Sequence, residues 1–138
     1  MKQITIVFLF FFFLSLTGCD DVIDCNINKS PELQDKVLAT GLINEYYSDF
    51  INAEIKNEPN DDDYGYYFEV YGDLPEGIEI SFDYRRVYFE GIPTQSGVFN
   101  ITIYLSVDPP LYYDYDTDEY EDSLCSYTTT KGYTIRIQ

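Results

Sequence analysis

The sequence predicts an all-β antiparallel sandwich of about seven strands, and three observations carry that reading. Apolar residues recur at every second position in several separate runs between Tyr47 and the C-terminus. Clusters of Gly, Pro, Asn and Asp break those runs at the roughly eight-to-twelve-residue spacing of a sandwich. No stretch carries a long 3.6-residue period bounded by helix caps.

The composition narrows the function before any motif is read. The chain has 138 residues, enough for one domain with a tail. It has 8 Lys+Arg against 25 Asp+Glu, and a formal charge of −17 repels phosphates, which excludes nucleic acid as a partner. With no His there is no imidazole metal site and no Ser-His or Cys-His nucleophilic pair. Fifteen Tyr and ten Phe make the chain too apolar to be disordered despite its charge.

The first element is an export signal. Met1 and Lys2 lead into the apolar run from Ile4 to Leu16, which includes Phe10 to Phe13. Thirteen residues is too short for a spanning helix, which needs ~20, but suits the apolar core of a secretory signal. Leu16-Thr17-Gly18-Cys19 then resembles the lipobox of bacterial lipoproteins. That resemblance implies cleavage after residue 18 and a diacylglycerol thioether on Cys19. Each buried CH₂ of such an anchor contributes ~0.8 kcal/mol, so two or three acyl chains hold firmly. The expected address is the bacterial cell envelope, at the outer membrane or cell surface, or on the periplasmic face of the inner membrane. Asp20, Asp21 and Asp24 follow, read either as a sorting signal or as a solvated acidic linker.

Residues 19–35 are polar and aperiodic and read as a tether, which leaves 36–138 as the folded domain. Cys25 and Cys125 remain once Cys19 is lipidated, and an exported chain with two thiols is expected to join them in a disulfide.

The strands follow in order. Tyr47, Ile51, Ala53 and Ile55 share one parity, with Asp49, Asn52 and Glu54 read as interleaved polar residues. Tyr66, Phe68 and Val70 alternate with Tyr67, Glu69 and Tyr71. Ile78 and Ile80, then Val87 and Phe89, make two short runs. Phe99, Ile101, Ile103, Leu105 and Val107 keep parity over nine residues, and Tyr133, Ile135 and Ile137 close the chain. The breakers between them include Pro59 to Asp63, Gly72 to Gly77, Gly91 to Pro93, Ser96-Gly97 and Asp108 to Pro110.

Three of these segments together resemble a known repeat. Leu74-Pro75-Glu76-Gly77-Ile78, Gly91-Ile92-Pro93-Thr94 and Gly97-Val98-Phe99-Asn100-Ile101-Thr102-Ile103 are similar to a bacterial Ig-like repeat of the cadherin-like superfamily. The resemblance spans about residues 36–138 and implies an Ig-like sandwich. Pro75 presets φ, Gly77 permits a positive φ, and Gly91 and Gly97 flank Pro93 so that the chain can change sheets. Arg85-Arg86 stand where the repeat has Gly in its hairpin, and Ile92 replaces its Thr, which leaves the hairpin's turn type open.

Two features bear on function. The run Asp108 to Asp122 holds seven carboxylates and no basic residue. Asp114, Asp116 and Asp118 begin like an EF-hand loop, but Glu119 replaces the required Gly and Cys125 the closing Glu. A calcium site remains an expectation only if these carboxylates meet Asp61, Asp62 and Asp63; otherwise the loop is solvated and extended by its own repulsion. No other cofactor is expected. The Tyr residues are the second feature. Tyr112, Tyr113, Tyr115 and Tyr120, with Tyr64, Tyr66, Tyr67 and Tyr71, exceed what one small core can bury, and read either as a partner surface or as cross-strand pairs. There is no Gly-rich phosphate loop and no Ser elbow, so the chain reads as a non-enzyme. It is expected to be a membrane-tethered binding or adhesion module for a protein or glycan, or alternatively an accessory envelope lipoprotein without a separate ligand.

Overall fold

The computed structural model describes Cys25 and residues 28–116, 118–122 and 124–138. The signal segment 1–18 and Cys19 lie outside the described residues, as do the side chains of Tyr120 and Glu121.

The strands are β1 (Pro31–Leu33), β2 (Thr40–Gly41), β3 (Tyr47–Ile55), β4 (Gly65–Gly72), β5 (Ile78–Asp83), β6 (Arg86–Gly91), β7 (Gly97–Asp108), β8 (Tyr112–Asp114), β9 (Glu119–Glu121) and β10 (Thr128–Ile137). One turn of 3₁₀ helix, Asp61–Asp63, precedes β4. The first sheet runs β1-β3-β6-β5 and the second β2-β10-β7-β4, while β8 and β9 form a separate ribbon. This is the Ig-like sandwich: β1, β3, β6 and β5 take the places of strands A, B, E and D, and β4, β7 and β10 those of C, F and G. The expected seven become eight in the two sheets because the first strand is split. Its second piece, β2, leaves β3 and pairs parallel to β10, with Thr40 opposite Arg136.

The sandwich also begins earlier than the sequence suggested. Pro31–Leu33, placed in the tether, pairs antiparallel with β3, Leu33 opposite Ala53. Leu33 is buried in the core. A three-residue edge strand is too short to display a period, so only its packing reveals it.

Period-two alternation becomes two inward faces. Ile51, Ala53 and Ile55 of β3, Val87 and Phe89 of β6, Ile101 to Val107 of β7 and Ile135 and Ile137 of β10 form the core. Burying each large side chain contributes ~1.5–3 kcal/mol, so this face supplies most of the drive to fold. One inward position is not apolar. Asp49, read from the sequence as an outward residue, has the parity of Tyr47 and Ile51 and is buried among them. It accepts hydrogen bonds from the amides of Ala39 (2.8 Å) and Phe50 (2.8 Å) and from the Lys36 ammonium. Lys36 also donates to the Phe50 carbonyl at 2.9 Å and lies over the Phe50 ring, 4.3 Å from its centroid. Burial pushes the carboxyl up, but the Lys36 hydrogen bond, the two amides and the Lys36 charge outweigh it and hold Asp49 below the usual carboxylate range.

The far end closes where β4 passes to β5 and β6 to β7, each connection changing sheets. Here Gly77 (φ 91°) and Gly91 (φ 147°) meet backbone to backbone. A Cβ on Gly91 would lie 2.0 Å from the Gly77 carbonyl oxygen, and one on Gly77 would lie 2.1 Å from that of Ile92. The glycines of the repeat motif are therefore required by contact as well as by φ. In the hairpin between the two motifs, Asp83 pairs with Arg86, leaving a two-residue turn with Tyr84 at φ 50°. The hairpin is thus closed by a two-residue turn in which Tyr84, not a Gly, takes the positive φ.

Two outcomes are expected. Gly91→Ala should cost at least ~2 kcal/mol in denaturant unfolding, whereas Gly132→Ala, whose nearest contact is at 3.9 Å, should be neutral or slightly stabilising. A depressed folded pKa at Asp49 gives stability that is present above the unfolded value of ~3.9 and lost as pH falls through the folded value. Asp49→Asn should therefore lower stability at pH 7 and flatten the loss of stability below about pH 4, measured by urea titration across pH.

Candidate functional site

The end of the sandwich opposite the glycine crossing gathers four chain segments. They are the residues before β1, the β3–β4 connection (56–64), the Tyr84-Arg85 turn and the long β7–β10 connection (109–127). In the Ig fold this is the end that carries the B–C and F–G loops.

Each segment is tied to another. Cys25 and Cys125 form the disulfide expected from the sequence, with Cα atoms 5.5 Å apart and 100 residues between them. In the chain-entropy picture a loop of that length makes the bridge worth ~4.7 kcal/mol at most. Beside it, the Cys125 amide donates to the Lys29 carbonyl at 2.8 Å. The Lys29 ammonium pairs with Glu58 at 2.8 Å, and Asn57 Nδ2 donates to the Asn28 carbonyl at 2.9 Å. The Lys29 hydrogen bond, followed by the Asn60 amide, holds the Glu58 carboxyl below its ordinary range. Arg85 reaches across to Asp61, and its Nη2 lies 3.1 Å from Asp62. The Tyr66 hydroxyl donates to the Asp61 carbonyl at 3.0 Å, and that of Tyr84 to the Asp62 carbonyl.

From this braced base rises the β8–β9 ribbon, in a region read from the sequence only as an acidic loop. Tyr112 pairs with Glu121, Tyr113 with Tyr120 and Asp114 with Glu119. The turn is built by Asp114, which accepts the Asp116 amide on Oδ1 at 2.8 Å and the Asp118 amide on its carbonyl at 2.9 Å. Asp118 sits at φ 61°, a conformation that Asp tolerates better than most residues. The Tyr113 hydroxyl donates to the Asp118 carboxylate, and this bond raises the Tyr113 pKa. The Tyr113 and Tyr115 rings meet edge to face, centroids 5.1 Å apart. At the ribbon's foot Asp122 accepts from the Leu124 amide (3.0 Å) and the Tyr127 hydroxyl (2.6 Å).

The consequence is an exposed Tyr surface. Tyr112 is 57% exposed, Tyr113 38% and Tyr115 89%. Tyr64, by contrast, is buried and Tyr66 half-buried, so those two belong to packing. The sequence-based pooling of carboxylates is not met. Asp61 and Asp62 are engaged by Arg85, and Asp114 and Asp118 by their own turn. Among the described residues no group of three or more His, Cys, Asp or Glu side chains is placed to hold a metal ion. The side chains of Asp61, Asp62, Asp114 and Asp118 thus already have donors of their own within the protein. Sequence reading missed Lys29, Glu58 and Arg85 as the struts of this end. The available signal was the scarcity of cations, since every Lys or Arg in so acidic a chain has a choice of partners.

No family model and no curated protein matches the chain. Among solved structures it resembles a protein of Bacteroides fragilis NCTC 9343 described as an α-galactosidase, at 17% identity and a TM-score of 0.47, over 80% of this chain. It spans only 18% of that protein's length. A chimeric titin Z1Z2 is matched at 10% identity and a TM-score of 0.46, covering 78% of this chain and 93% of the chimeric chain. A mutant of the SrpA adhesin of Streptococcus sanguinis is matched at 12% identity and a TM-score of 0.42, over 80% of this chain and 60% of the adhesin's. These are likenesses of strand arrangement.

Proposed function

We propose that this chain is a lipid-anchored, non-catalytic Ig-like binding module of the bacterial cell envelope, and that the β8–β9 ribbon is its recognition element. One observation carries the reading: three Tyr side chains stand exposed on a short ribbon whose base is locked by a disulfide. Tyr supplies a broad amphipathic contact surface at low entropy cost, which is why binding loops on Ig frameworks favour it. A braced loop loses little further freedom on binding. The Leu16-Thr17-Gly18-Cys19 lipobox supports the anchor, and the acidic body would stand off anionic headgroups. The carboxylates around the ribbon favour a partner face, on a protein or glycan, that offers hydrogen-bond donors or cations.

The test is capture from detergent-solubilised envelope by the purified chain, next to a Tyr112→Ala, Tyr115→Ala variant. Two central Tyr contacts at ~1–2 kcal/mol each predict at least a tenfold loss of the captured component with unchanged melting temperature. Equal capture by both chains would remove the ribbon from recognition. In parallel, Cys19→Ala should move the chain from the membrane to the soluble fraction.

A further inference from the structure

Each sheet of the sandwich has two edges, and they are not alike. β1 and β2 are three and two residues long, and such shortness is one of the ways natural sheets blunt an edge. β4 and β5, at the opposite side, are eight and six residues long. Neither contains Pro or Lys, and neither carries a charge on its inward face. β4 reads Gly-Tyr-Tyr-Phe-Glu-Val-Tyr-Gly, with Glu69 as its one charge. Apart from that one charge it has no Pro and no Lys, and its pairing with β7 runs unbroken from Gly65 to Gly72.

The two open edges lie side by side and share an aromatic floor. Phe68 of β4 stacks on Phe82 of β5, rings 5° from parallel and centroids 6.0 Å apart. Tyr66 meets Tyr84 edge to face at 5.7 Å. The hydroxyls of Tyr66 and Tyr84 are turned to the carbonyls of Asp61 and Asp62, which leaves ring surface facing outward. Phe82 is 54% exposed and Tyr84 51%, in a chain that buries its other Phe side chains at least in part across the described sheets. The resulting groove, about 480 Å³, is lined by Gly65, Tyr66, Tyr67, Phe68, Phe82 and Tyr84.

We infer that β4 is a docking edge for an extended peptide segment of a partner protein, apolar at alternate positions and basic in between. The added strand hydrogen-bonds to the open side of β4, its apolar side chains lie on the Phe68–Phe82 floor, and its cations face Glu69 on the outer face of the same sheet. Strand addition supplies affinity through the main chain, and the pockets for alternate side chains supply selection. The chain's charge of −17 selects a basic partner and disfavours a second copy of itself in the groove. This edge is separate from the β8–β9 ribbon, so either surface can fail without the other.

The experiment uses eight-residue peptides in which Val or Ile alternates with Lys and Thr, titrated into the purified chain by calorimetry. A scrambled peptide and one N-methylated at alternate residues serve as controls. Strand addition predicts saturable binding that falls at least tenfold for both controls, for Phe82→Ser and for Glu69→Lys, while Val37→Ser, exposed on the side of β1 and β2, binds as the parent does. Both variant positions are exposed, and melting curves report that each still folds. Equal binding of the N-methylated peptide means charge attraction alone and overturns the proposal. So does the absence of binding by any ordered peptide up to about 1 mM, or a concentration-dependent dimer abolished by Glu69→Lys, which would make the occupant a second copy.

Discussion

The loop end of this molecule depends on a covalent tie between positions 100 residues apart. Without it, the residues before β1 rest on a few hydrogen bonds and the Lys29–Glu58 pair, because β1 itself is three residues long. The connection from β7 to β10 would be an acidic excursion of almost twenty residues, kept extended by its own repulsion. Joining Cys25 to Cys125 converts both into parts of one base. The Lys29 carbonyl then receives the Cys125 amide, its ammonium reaches Glu58, and the β3–β4 connection joins the same cluster. The ribbon above can hold its Tyr side chains outward because its foot is fixed.

The rest of the sandwich follows ordinary sheet physics, with two local demands. At one end, backbones approach so closely at Gly77 and Gly91 that no Cβ fits. On the side of β1 and β2, a carboxylate points inward and needs three donors to be tolerated there. Asp49 has them in Lys36, Ala39 and Phe50, all within reach of the segment where the chain leaves the first sheet for the second. A buried charge so satisfied adds little net stability over an apolar residue, but it specifies where that crossover sits.

Much of the architecture was legible from residue patterns because the patterns are local. Parity from Phe99 to Val107 identifies β7 without reference to anything else, and the Gly-Pro spacing from Gly91 to Gly97 locates the sheet change. The disulfide was legible from counting thiols together with the expectation of export. What was hidden is non-local or too short to carry a period. Asp49 has the parity of a core position, but its charge argued for the outside, and only the distant Lys36 reverses that. β1 has three residues and shows its role only opposite Ala53 and Ile55. The β8–β9 ribbon was hidden because its turn is made by Asp114 side-chain and carbonyl bonds, without the Asn-Gly or Gly-rich signal of a hairpin. The carboxylates that suggested a cation were legible as a count, but their engagement by Arg85 and by local amides was not.

Amide hydrogen exchange of the oxidised and reduced chain, compared where the central β7 amides stay protected in both, tests the bracing role of the disulfide most directly. The account predicts slow exchange at Tyr112–Asp114 and Glu119–Glu121 in the oxidised chain and a marked loss of that protection on reduction, with Ile101 to Leu105 unchanged. Identical exchange of the ribbon in the two states would contradict it, because the Tyr surface would then owe nothing to the Cys25–Cys125 tie.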